Sequence, residues 1–196
     1  SDCMNVMAFD TFSALTLNMH CGMEENFPAK LQTICLAISE IKPDVIAFQE
    51  CVQHKNAPVV QMNHDIPIKE GNLALQVVQC LKEHYDLTYD FYFDWAHYGF
   101  GDWEEGCAIL CRTPIISAYS KNVSRMQDTS RWITRKNVGI TTRLAGSFID
   151  IHSVHFGWWN DQEEPFAYQL DRHMETLNPA HPTLLVGDFN NAPETD

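Results

Sequence analysis

A chain of 196 residues with 45% hydrophobic and 11% aromatic content can pack a sizeable core, and its length calls for a single domain over residues 1–196. Thirteen Lys and Arg against 26 Asp and Glu leave a formal charge of −13, which works against polyanionic partners such as DNA or an anionic membrane surface. No apolar run reaches about 18 residues and no basic-then-apolar start is present, so neither a membrane span nor a secretory signal is expected and a cytoplasmic location is the default.

Phe12 to Asn18 reads as a strand, apolar on both faces, whose C-terminal end delivers Asn18. Leu31, Ile34, Cys35, Ile38 and Ile41 recur at three- and four-residue intervals and predict a helix that Pro43 stops. Asp44 to Phe48 predicts a short buried strand with Gln49 and Glu50 at its tip. Residues 53–71, polar and marked by Pro58, His64 and Pro67, predict a long surface loop. A second helix takes Leu73, Val77, Cys80 and Leu81 as its apolar stripe, and Tyr85 to Trp95 predicts an aromatic-rich strand. Glu105 to Cys111 predicts another, closed by Thr113-Pro114.

Lys121, Arg125, Arg131, Arg135 and Lys136 bring five of the thirteen cationic residues together, which fits either a solvated loop or a receiver for a small anionic group. Val138 to Leu144 and Ser147 to Phe156 predict a hairpin around Ala145-Gly146. Phe166, Leu170, Met174 and Leu177 mark a third helix with acids in its first turn, stopped by Asn178-Pro179. Thr183 to Val186 is a last apolar strand that carries Asp188 and Asn190 past its end. The seven cysteines form no C-x-x-C pair or zinc-like spacing and are expected to be reduced and buried.

Three apolar strands therefore end in groups able to bind or polarise a ligand: Asn18, Glu50 and the Asp188/Asn190 pair. In an extended segment two residues apart share a side, so Asp188 and Asn190 can address one ligand, although Asp-Phe-Asn equally fits a plain turn. His152 and His155, three apart in a strand, fall on opposite faces and should not chelate one ion. Carboxylate and amide donors without a Cys/His cluster suit a hard cation such as Mg²⁺ and, with it, a phosphate. No Gly-rich phosphate loop, G-x-S-x-G elbow or dinucleotide fingerprint competes with this.

Four ordered segments, Leu15-Thr16-Leu17-Asn18, Asp44 to Glu50, Ser153-Val154-His155 and Gly187-Asp188-Phe189-Asn190, resemble the motifs of the endonuclease/exonuclease/phosphatase superfamily. Within it, Asn18 to Glu25, His97 to Gly106 and Ser153 to Phe166 are similar to the bacterial maltose 6'-phosphate phosphatases. The resemblance implies an α/β (α+β) sandwich, DNase I-like, of two packed, mostly antiparallel β-sheets flanked by helices. It also implies a later Ser-Asp-His motif that these residues do not contain, so the domain is expected to be C-terminally incomplete.

The implied site has Glu50 on Mg²⁺, with Mn²⁺ as a substitute, and Asn18 in or beside the metal shell. Asp188 would orient or deprotonate water, while Asn190 and His155 bind the phosphoryl group, which selects His155 over His152. Glu105, Arg135 and Lys136 would lie near the pocket, and Trp158 and Trp159 would stack on a sugar. The implied activity is Mg²⁺-dependent hydrolysis of a phosphomonoester, a disaccharide 6'-phosphate such as maltose 6'-phosphate, with a small phosphorylated sugar as partner. The alternatives are a sphingomyelinase-like or nuclease phosphodiesterase, supported only by the basic cluster, and a non-catalytic fragment that binds a sugar or a protein partner.

Overall fold

The computed structural model describes residues 4–8, 12–157 and 161–190. Along the chain run β1 (Met4–Ala8), β2 (Ser13–Asn18), α1 (Phe27–Ile41), β3 (Val45–His54), β4 (Val59–Asn63), β5 (Ile66–Lys69) and α2 (Leu73–Tyr85). There follow β6 (Asp90–Gly99), β7 (Trp103–Cys111), β8 (Ser117–Asn122), β9 (Lys136–Leu144), β10 (Ser147–His155), α3 (Phe166–Met174) and β11 (Thr183–Asp188). The strands sort into a sheet of order β1-β2-β3-β7-β6, a sheet of order β11-β10-β9-β8, and a separate β4-β5 ribbon. Only β2–β3 and β10–β11 pair in parallel; every other described pairing is antiparallel.

Alternation along the strands assigns each sheet an inner and an outer face. Ala14, Val45, Ala47, Cys107 and Ile109 of the first sheet meet Val138, Ile140, Ile151 and Val186 of the second in the central layer. The opposite face of the first sheet, including Leu15, Leu17, Ile46, Phe48 and Leu110, packs on Ile34 and Ile38 of α1 and on Val77 and Leu81 of α2. Val154 and Phe156 carry the outer face of the second sheet onto Phe166 and Leu170 of α3. The result is the sandwich with flanking helices expected from the resemblance. The six described cysteines are free and buried, as expected; Cys3 lies outside the described residues. Among the described residues no helix is long and apolar enough to cross a membrane.

Several expectations need correction. The loop over 53–71 contains the β4–β5 ribbon, whose Val59, Val60 and Met62 are exposed while Ile68 is buried in the helix-side core. The aromatic strand starts at Asp90, because α2 runs on to Tyr85 and ends on Asp86 in the left-handed region. The strand expected to stop before Glu50 continues to His54, with a register shift between Phe48 and Cys51 and a φ of 48° at Glu50. Glu50 thus sits on a bulge within β3, a device that re-aims a side chain. α3 begins at Phe166 with no acid in its first turn. Glu164 instead lies buried, accepting from Met126 N at 2.7 Å and Gln169 Nε2 at 3.1 Å.

Candidate active site

The two parallel pairs put strand ends side by side: Asn18 is level with Gln49, and His155 with Asp188. A buried polar bridge joins the pairs across the central layer. Gln49 Nε2 donates to Ser153 Oγ at 3.2 Å, and Ser153 Oγ donates to Phe48 O at 2.9 Å. At this end of the sandwich opens a cleft of about 450 Å³ lined by Glu50, Glu105, Asp188, Arg135, His155 and Asn190, with His97, Phe100 and Trp132.

Asp188 and Asn190 reach the cleft together, but not by strand alternation. β11 ends at Asp188, whose Oδ1 accepts from Asn190 N at 2.8 Å, and Asn190 has a φ of 49°. Asp-Phe-Asn is therefore both the turn and part of the cleft wall. Phe189 between them packs against Phe156 and Phe166, and Asn190 Nδ2 donates to Phe156 O at 2.6 Å, so the turn is anchored at both ends. Gly187 is required just before it: its φ is 147°, and a Cβ would collide with Val154 O.

Asn18 Nδ2 donates to Asp188 Oδ2 at 3.3 Å, while Asn18 Oδ1 accepts from His20 N at 2.8 Å. Burial raises the Glu50 carboxyl above its ordinary range; a hydrogen bond from Asn18 opposes this, and the nearby Glu105 and Asp188 reinforce it. Burial alone would also raise Glu105. Its hydrogen bond and charge interaction with His97, joined by the Cys21 thiol at 2.6 Å, hold it down at about 2 instead. His97 in turn contacts Thr134 O through Nδ1 at 2.8 Å.

Cys21 Sγ and oxygens of Glu50 and Glu105 all lie within 4.8 Å of one another, an arrangement able to hold a metal ion. The thiol is not a good ligand in this setting, because burial and the two carboxylates push its pKa far up and it donates to Glu105. That leaves oxygen donors and unbalanced negative charge, which fit a hard dication.

Among the described residues, Arg135 supplies the cationic side of the cleft. Of the five clustered basic residues only Arg135 lines the cleft. Lys121 donates to Thr176 O at 2.5 Å, Arg125 lies over Tyr168, Arg131 pairs with Glu163 at 3.0 Å and Lys136 with Asp94 at 3.2 Å. Lys136 is thus held beside the cleft, where it lines a small adjoining pocket with His97, Glu105, Arg135 and His155. Arg135 is buried, and its Nε has no hydrogen-bond partner among the described residues. An unpaired donor on a buried guanidinium is costly unless a ligand supplies the acceptor.

Arg135 Nη1 lies 3.2 Å from His155 Nδ1, and a guanidinium can only donate, so Nδ1 is the acceptor and Nε2 carries the proton. Burial, and then the Arg135 charge, lowers the His155 pKa well below the ordinary histidine value and keeps the ring neutral. Its Nε2 lies 3.7 Å from Asp188 Oδ2. His155 N donates to Asn137 Oδ1 at 2.8 Å, a side chain that takes over where the β9–β10 ladder stops at Ser153.

His152 lies on the opposite face, as strand parity requires. Its Nδ1 is 2.8 Å from His173 Nε2 and its Nε2 is 3.0 Å from Tyr119 Oη. Trp158 and Trp159 lie outside the described residues. His97, Phe100 and Trp132 join the cleft, and Asn137 supports His155 through its backbone N–H, beyond the residues expected to form the site; His97 and Phe100 fall in the His97 to Gly106 stretch that carries part of the resemblance.

A model of the Endonuclease/Exonuclease/phosphatase family matches residues 15–196. No curated protein matches. Among solved structures, an endonuclease/exonuclease/phosphatase family protein from Leptotrichia buccalis superposes with a TM-score of 0.84 at 28% identity over 90% of this chain and 66% of that one. D. rerio TDP2 complexed with single-strand DNA product gives 0.61 at 15% identity, over 94% of this chain and 63% of that one. ANGEL2, a 2',3'-cyclic phosphatase, gives 0.59 at 15%, over 97% and 56%. The chain thus spans about two thirds or less of the length of these structures, and the last two likenesses bear on the fold alone.

Proposed function

This chain belongs to the endonuclease/exonuclease/phosphatase family, and from that premise we propose that its cleft hydrolyses a phosphomonoester, with a disaccharide 6'-phosphate such as maltose 6'-phosphate as substrate. One observation carries the reading. Three carboxylates, Glu50, Glu105 and Asp188, line the same cleft as a buried Arg135 whose Nε has no hydrogen-bond partner among the described residues. That is the complement of a phosphate together with a divalent cation.

Glu50 would hold Mg²⁺, or Mn²⁺ in its place, with Glu105 beside it and Asn18 fixing the orientation of the Glu50 and Asp188 carboxylates. Such an ion offsets negative charge on the phosphoryl oxygens. Arg135 and the His155 Nε2–H donate to the same oxygens as charge builds on them, and Asn190 holds the turn that carries Asp188. Asp188 orients the attacking water and takes its proton while oxygen bonds to phosphorus and the ester P–O bond breaks. The sugar oxygen leaves and is reprotonated from solvent.

The phosphodiesterase alternative rested on a collected basic surface, and that cluster is dispersed over separate partners. The test is a substrate comparison with the intact protein and Mg²⁺. Phosphate release from maltose 6'-phosphate should exceed cleavage of DNA or sphingomyelin; equal or faster cleavage of either overturns the proposal. Isothermal titration with Mg²⁺ addresses the non-catalytic alternative, which absence of binding would favour.

A further inference from the structure

Two aromatic rings stand at the mouth of the cleft with most of their surface in water. Phe100 is 74% exposed at the turn between β6 and β7, and Trp132, in the β8–β9 connection, is 56% exposed. Both line the cleft that holds Arg135, His155 and Asp188. Phe148, 43% exposed, differs in lying outside that cleft and stacking on His181 at 5.6 Å.

Phe100 carries a second cost. Its φ is 51°, a left-handed conformation that strains a bulky residue. Gly99 and Gly101 flank it, so the turn already uses glycine on either side, yet a phenyl ring occupies its tip. Trp132 lies 6.0 Å from the Arg135 guanidinium, which sets one aromatic wall next to the group that would receive the phosphate.

We propose that Phe100 and Trp132 form a specificity rim that stacks on the leaving group of the phosphomonoester, a ring with an apolar face. This deepens the proposed function and rests on it. The charge of −13 and the carboxylates in the cleft oppose a polyanionic leaving group, and about 450 Å³ falls in the roughly 300–1,000 Å³ range of small-molecule sites. A sugar and an aryl group share the required flat apolar face and are separated by experiment.

The experiment is isothermal titration of the intact protein, wild type and the Phe100→Ala, Trp132→Ala and Trp132→Phe variants. The ligands are maltose 6'-phosphate, phenyl phosphate and ringless glycerol 3-phosphate. The wild type should favour at least one ring-bearing ligand over glycerol 3-phosphate, and each alanine variant should lose about tenfold or more of that preference. Trp132→Phe should keep most of it. Loss on the maltose arm identifies a sugar and loss on the phenyl arm an aryl group, each in support of the rim. No ring preference in the wild type, no binding, or a preference unchanged within about twofold in both alanine variants overturns it. Phosphate release is measured alongside: ring-selective binding without turnover would sink the proposed hydrolysis while leaving the rim standing.

Discussion

His155 shows how far one side chain's chemistry is set by its neighbours. Arg135 occupies Nδ1 as a donor, so the proton stays on Nε2, and burial with the Arg135 charge keeps the ring neutral. His155→Ala is expected to lower kcat for phosphate release by about 10²–10³-fold if the ring donates to the phosphoryl group in the transition state. A fall confined to KM would contradict that role. Asn137→Ala removes the acceptor for the buried His155 N–H and should cost about 1–3 kcal/mol in urea unfolding. At Gly187 the left-handed φ and the nearby Val154 carbonyl leave no room for a methyl group. Gly187→Ala should lower the unfolding midpoint and impair turnover together, since it displaces the segment that carries Asp188.

On the scale of elements, α3 meets the second sheet through two buried histidines whose partners are Tyr119 and Asn137. Burial, then His173 and Lys121, lowers His152 to about 3; burial, then Lys121, lowers His173 to about 4. Both folded values lie below the unfolded value of about 6.5, so the unfolded chain takes up protons first as pH falls. The contribution is fully present above about 6.5 and is lost as pH drops toward about 4 and then about 3. Urea midpoints measured from pH 7 to 4.5 should therefore fall more steeply for the wild type than for His173→Gln, and equal slopes would contradict the account. Element patterns differ in how much of this could be read from sequence. Helices α1 and α2 and strands β2, β9, β10 and β11 were legible because one or both faces are apolar. β1, β4 and β8 were not, because exposed or mixed side chains blur the two-residue period. Parity was enough to separate His152 from His155. The bulge at Glu50 and the His97–Glu105 contact across β6 and β7 depend on strand register, which sequence spacing does not encode.

For the molecule as a whole, the two sheets converge their strand ends on one cleft, in a chain whose formal charge is −13. With charge −13 and the basic residues dispersed, fluorescence anisotropy should show no tight, steeply salt-dependent binding to duplex DNA; a steep negative dependence on salt would point to several phosphate contacts instead. The sequence motifs identified Asn18, Glu50, His155, Asp188 and Asn190 in order, and the fold brings all five to the same end of the sandwich. What order alone could not supply is the company they keep: Glu105 beside Glu50, Arg135 against His155, and the two exposed rings at the mouth. The most direct test of the central claim is release of inorganic phosphate from maltose 6'-phosphate by the intact protein, with Mg²⁺ and after chelation, for the wild type and Asp188→Asn. The account predicts Mg²⁺-dependent release that falls by about 10²-fold or more in the variant. Undiminished release after complete chelation, or an Asp188→Asn protein as active as the wild type, would contradict it.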